Sequence, residues 1–226
     1  MAGAGYSGAG SIHALLAKFT ALDATGAPLG GDDNVFWTDS LIKVGLGLTL
    51  NEPEAVKQTN GSGVTCMVFQ APKTIDSMEV SEFSFCTPDP RNTEFLAGGE
   101  IILGTGDQAQ QAIGYAAPKV GAAPKPNGVA VELWSRAVAG GSQIGYMHWL
   151  LPRLSLVQSS DGFELGAENP LTPTFNGSGA ENINFGAGAD GTWTWVSDRV
   201  YQWVLEESLP EYTPGYETVE LDSGSG

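Results

Sequence analysis

Apolar and polar positions alternate along most of this chain, and helical spacing is rare. Gly128–Val138 places Val129, Val131 and Leu133 on one side, with Glu132, Trp134 and Arg136 on the other. That is the period of a pleated strand. Gly145–Val157 (GYMHWLLPRLSLV) is apolar on both sides near its middle and carries Pro152. Proline cannot donate to a ladder, so this strand is expected at an edge or bulged. A long apolar edge on a lone protein would invite aggregation.

Further strands follow from the same pattern. Ser11–Leu22 is expected as a strand. In Val35–Leu50, residues Ile42, Val44, Leu46, Leu48 and Leu50 share a face, opposite Lys43, Gly45, Gly47 and Thr49. Val64–Gln70 is a short strand. Lys73–Thr87 is a long one whose acids Asp76, Glu79 and Glu82 do not share one parity, which predicts a bulge near Ser81. Glu100–Leu103 and Gln111–Ala117 complete the set before Gly128. Asn51–Gly63 (NEPEAVKQTNGSG) breaks the alternation and is expected as a long exposed hairpin loop. Pro88–Gly98 reads as a short helix, with Asp89 as a cap, Pro90 early and Gly98–Gly99 as the stop.

These elements predict a mainly β, antiparallel sandwich or partly open barrel with one short helix. Residues 1–10, rich in Gly and Ala, are expected as a flexible N-terminal arm. Residues 11–205 form the β domain, and residues 206–226 an acidic C-terminal arm, mobile or docked on a neighbour.

Composition narrows the function. The chain has 226 residues, 31 glycines and 13 prolines, and 26 acids against 10 bases give a net charge of −16. Gripping nucleic acid requires Lys and Arg to displace counterions, so tight binding to DNA or RNA is disfavoured, as is an anionic membrane surface. No apolar run approaches the length of a membrane helix, and the first residues lack the pattern of a secretory leader. Cys66 and Cys86 are expected as buried thiols on strands.

Catalytic signals are sparse. His13 and His148 are the only histidines, and His148, beside Trp149, is expected as a packed sheet residue. No nucleophile-elbow, zinc-protease or phosphate-loop motif occurs. GTGDQA at Gly104–Ala109 reads as a turn, and so do GDDN (Gly31–Asn34) and GADG (Gly188–Gly191), which lack the carboxylate spacing of a calcium loop. No cofactor, metal or enzymatic activity is expected.

A set of ordered motifs carries a resemblance. FCTPDP and TEFLAGG (within Phe85–Gly99), VAVELWSR (Val129–Arg136), HWLLPRL (His148–Leu154) and LTPTFNGSGAENINFG (Leu171–Gly186) span about Lys73 to Gly186. Together they resemble the major tail protein, or tail tube protein, of long non-contractile-tailed phages of actinobacteria. Residues 187–226 lie outside the resemblance.

That resemblance implies a virion protein, assembled in the host cytoplasm, whose hexameric rings stack into the tail tube through which DNA passes. Its strands would contribute to one barrel closed by six subunits. Asn51, Glu52, Glu54, Lys57 and Asn60 are then candidates for a ring-stacking loop. Trp134, His148 and Trp149 are candidates for the seam between subunits. Implied partners are the chain itself, a tape-measure protein, a tail terminator and a distal tail protein, with DNA passing without tight binding. A lysine on the channel wall would be repeated in every subunit and multiply phosphate contacts. Asp76, Glu79 and Glu82 are therefore the candidate lumen residues. The alternatives are a carbohydrate- or calcium-binding β-sandwich module on a phage or cell surface, and a small β hydrolase. The missing leader pattern weighs against a secreted lectin, and the poverty of histidines and motifs against the hydrolase.

Overall fold

Alternation of apolar residues becomes one long sheet and two separate two-stranded hairpins among the described residues. The computed structural model describes residues 10–31, 34–86, 88–106, 111–121, 127–159, 172–188 and 199–216. Its strands are β1 (Gly10–Ala21), β2 (Val35–Thr38), β3 (Leu41–Asn51), β4 (Val56–Thr59), β5 (Thr65–Phe69) and β6 (Thr74–Phe85). After helix α1 (Pro90–Ala97) come β7 (Glu100–Leu103), β8 (Ala112–Ala116), β9 (Val129–Ala139) and β10 (Ser142–Gln158). The last strands are β11 (Thr174–Gly179), β12 (Gln202–Glu206) and β13 (Gly215–Tyr216).

The main sheet runs β13-β2-β1-β9-β10-β11-β6-β3, with β12 also on β10. Each of its pairings is antiparallel. It does not close into a barrel, because β3 and β13 are its two ends. It does fold over on its apolar face. Phe19 of β1 meets Phe83 of β6 edge-on, with ring centroids 5.7 Å apart, and Phe85 meets Phe175 of β11 at 5.8 Å. Val129, Val131 and Leu133 of β9 join Leu151, Leu154 and Leu156 of β10 in the same core. Phe95 and Leu96 of α1 complete it.

The helix starts where its cap predicts. Asp89 accepts a hydrogen bond from the Arg91 backbone N–H at 2.8 Å, satisfying one of the first-turn donors. Gly98, with φ of 72°, ends it.

Pro152 does not mark an edge, and β10 is a central strand. It pairs with β9 along one side, while β12 takes Tyr146–Leu150 and β11 takes Leu154–Gln158 on the other. Pro152 falls in the gap between those two partners and at a register shift between Leu151 and Leu154. The missing N–H is therefore accommodated by a bulge. The Pro152 carbonyl accepts from Asn182 Nδ2 at 3.0 Å, and the same amide reaches the Gly26 carbonyl at 2.7 Å. The aggregation hazard inferred for this strand does not arise.

Residues 206–216 dock on their own chain. Glu206 ends β12, Tyr212 stacks on Trp37 with centroids 6.1 Å apart, and β13 pairs with β2. The N-terminal arm up to residue 9, residues 217–226, and residues 107–109, 32–33 and 189–191 of the GTGDQA, GDDN and GADG turn segments lie outside the described residues. No helix among the described residues is long and apolar enough to cross a membrane.

Candidate assembly surfaces

The β3–β6 pair has two unlike faces, and bulges create them. Register skips Ser81 between the pairs Gly45–Glu82 and Leu46–Val80. That single extra residue flips the alternation. Met78 and Val80 before it, and Phe83 and Phe85 after it, all enter the core. Glu79 and Glu82 consequently share the opposite face, alongside Lys43, Gly45 and Gly47 of β3. Ser178 of β11, opposite Glu79, extends this polar face. A second skip, between Ser77 and Ile75, leaves Asp76 unpaired and exposed.

Glu82 is held on this face by Lys43, whose ammonium donates to its Oε2. That bond holds the Glu82 carboxyl below its ordinary range; burial opposes the shift, and the Ser84 hydroxyl adds a smaller lowering. The pair's contribution is thus present above the usual carboxylate range and lost as pH falls through the depressed value.

The apolar face of β3 outruns its cover. Leu41 is buried, yet Ile42, Leu46, Leu48 and Leu50 remain exposed, as does Ile75 across from Leu50. β3 pairs only with β6, so its outer edge carries no partner strand among the described residues. A groove of about 610 Å³ runs between β3 and the start of β1. Val44, Leu46, Met78, Leu133 and Trp149 line it.

The stretch Asn51–Gly63 is more ordered than a loop. Asn51 closes the β3–β6 ladder opposite Thr74, and β4 and β5 then form a second hairpin beyond it. Asn60 makes its turn, accepting from the Ser62 and Val64 backbone N–H groups at 3.0 Å each. Glu52 pairs with Lys73 at the hairpin's base. Glu54 and Lys57 are exposed along it. Apolar side chains stand uncovered on both its faces: Val56, Val64, Met67, Val68 and Phe69 are 51–61% exposed. Cys66 lies on this hairpin and is exposed, and so is Cys86 just past β6. Neither thiol is buried as its sequence surroundings predict: among the described residues, no hydrophobic core cluster reaches the β4–β5 hairpin to cover Cys66. The β7–β8 hairpin likewise exposes Ile102, Leu103 and Ile113.

The seam candidates occupy different surroundings. Trp134 is 3% and His148 5% exposed, so their side chains are covered by this chain and offer little surface to a neighbour. Trp134 stacks between Trp37 at 5.4 Å and His148 at 3.9 Å. Its indole donates to Glu206 Oε2 at 3.0 Å. Trp149 points to the other side of β10, donates to the Ser135 hydroxyl at 3.2 Å and lines the groove. Trp203 and Tyr201, partly exposed, pack against it.

Sequence alternation does not reveal the buried ionic chain around His148. Lys18, 2% exposed, lies 3.6 Å from Glu132. The other oxygen of Glu132 is 3.0 Å from His148 Nε2, and Glu206 is 2.7 Å from Nδ1. The one available signal was Lys18 and Glu132 in otherwise apolar strands; buried charges require partners. Among the described residues, no group of three or more His, Cys, Asp or Glu side chains is arranged to hold a metal ion. No protein-family model matches this chain, and neither does any curated protein sequence.

Proposed function

We propose that this chain is a structural, non-enzymatic subunit that self-assembles into stacked hexameric rings, forming the tube of a long non-contractile phage tail. The observation that carries the reading is the contrast between the two faces of the β3–β6 ladder and its hairpin extension. One face is small, polar and acidic; the other is apolar, buried in the core around Phe83 and Phe85 but uncovered from Leu46 to Leu50 and out along the β4–β5 tip. Contiguous uncovered apolar surface marks a site of association. An edge strand left open at β3 gives a neighbour backbone groups to pair with. Repeated by rotation, such a heterologous contact closes into a ring. The sheet then continues from subunit to subunit as a sandwich-like layer around a lumen.

In this reading Glu79 and Glu82 line the lumen, with Asp76 beside them and Lys43 paired to Glu82, and DNA slides because acids outnumber this one base along the wall that meets its phosphates. The β4–β5 hairpin, from Asn51 through Asn60 and on to Phe69, makes ring-to-ring contacts. Tape-measure, terminator and distal tail proteins are the partners at the ends of the tube. Mass photometry of purified protein tests the ring. The expected species is a hexamer of about 142 kDa, six times 23.6 kDa, and its higher multiples. A monomer peak alone, at every concentration and salt, would count against the reading.

A second reading, a carbohydrate-binding module, draws on the Trp149, Trp203 and Tyr201 aromatic cluster beside the groove. Glycan-array binding abolished by Trp203→Ala would favour it over the tube.

A further inference from the structure

The short strand β12 is fastened to the sheet by an arrangement that requires a proton. Both ring nitrogens of His148 face carboxylate oxygens: Nδ1 faces Glu206 at 2.7 Å and Nε2 faces Glu132 at 3.0 Å. A neutral imidazole has one N–H donor and one lone pair, and ionised carboxylates only accept. Satisfying both contacts therefore takes one proton more than a neutral ring and two carboxylates carry. We propose that β12 is a proton-dependent latch, docked while His148 bridges Glu132 and Glu206 and released when that proton leaves.

Each contributing group comes from a different element. Glu132 belongs to β9, Glu206 to β12, and Lys18 of β1 stands 3.6 Å behind Glu132. The Trp134 indole holds the second oxygen of Glu206 at 3.0 Å and covers the ring face. Loss of the proton leaves a lone pair against a carboxylate beside a ring that is only 7% exposed, where water screens the repulsion poorly. Only Glu206 is free to leave, since its strand is five residues long and its side chain is 35% exposed. Release frees the Tyr146–Leu150 edge of β10 for another strand and uncovers Trp134.

The direction with pH follows from linkage. A proton held only in the docked state stabilises docking below the imidazole range, and that contribution is withdrawn as pH rises through the docked-state titration. The test is hydrogen exchange of the β12 amides on the full chain from about pH 6 to about pH 9, a span that brackets the imidazole range, with intrinsic rates divided out. Between the pH at which the open state loses this proton and the pH at which the docked state does, the docked-to-open ratio should fall by up to about tenfold per pH unit, the slope for one proton, and be flat on either side. In Glu206→Gln, whose amide offers its own donor, that slope should vanish while β9 and β10 core amides stay protected. A flat wild-type profile overturns the latch, and so does an equal slope in Glu206→Gln. Should Glu206→Gln not fold, the wild-type slope compared with His148→Gln decides in the same way.

Discussion

Replacing Met67 and Phe69 together with threonine separates association from folding. The two lie on one face of β5, at 51% and 60% exposed. Their side chains take no part in the hydrophobic core clusters. Fully burying such a side chain contributes about 1.5–3 kcal/mol, so the exposed half or more of each leaves about 1–1.5 kcal/mol for a partner to recover. Losing both weakens each hairpin contact by about 2–3 kcal/mol, or about 30- to 150-fold in association constant. Threonine keeps β propensity, so the hairpin itself should persist. Chain stability should move by no more than about 0.5 kcal/mol, as for other surface changes, which is about 1–2 °C in Tm for a chain of this size. Sedimentation velocity across a concentration series measures the first effect, and thermal unfolding followed by circular dichroism the second. Unchanged association with an unchanged melt would refute the assignment of the hairpin to an interface. A melt lowered by many degrees would show that the hairpin packs on its own chain after all.

Other expectations follow from the same geometry. Glu79→Lys with Glu82→Lys should turn assembled tubes from indifferent to DNA into binders whose affinity falls steeply with salt, read by co-sedimentation; no uptake would place both residues away from the lumen. Cys66, exposed in the single chain, should react with a maleimide before assembly and be protected afterwards, and equal labelling in both states would exclude the hairpin from the contact. Gly177→Ala sets a Cβ 2.0 Å from the Ser155 carbonyl oxygen, so the β10–β11 ladder must shift; overpacking of this kind costs about 1–3 kcal/mol, measurable by urea unfolding.

The legibility of this chain divides along range. Within a strand, residue parity carried far: the mismatch in parity among Asp76, Glu79 and Glu82 located the Ser81 bulge, because each side chain's face depends only on its neighbours in sequence. Asp89, Pro90 and Gly98 likewise bounded α1 by local capping chemistry. Pairing was less visible. Pro152 signalled a break in one ladder, but only the fold shows that β11 and β12 share the far side of β10 and leave the proline between them. Glu206 looked like the first residue of an acidic tail because its partner, His148, is 58 positions away. Trp134 and His148 looked available for a seam because nothing in their own strands shows that β12 and Trp37 cover them. The exposure of Ile42, Leu46 and Leu48 was unreadable for the opposite reason. Alternation states which residues share a face, not whether the chain supplies enough cover for it.

The central claim is that this uncovered surface is satisfied by copies of the same chain arranged around an acidic channel. Cryo-electron microscopy of the purified, concentrated protein tests it most directly. The account predicts hollow tubes of stacked six-fold rings, with Glu79 and Glu82 on the inner wall and the β4–β5 hairpin between rings. Dispersed single subunits under all conditions would contradict it, as would an assembly whose inner wall is formed by the apolar face of β3.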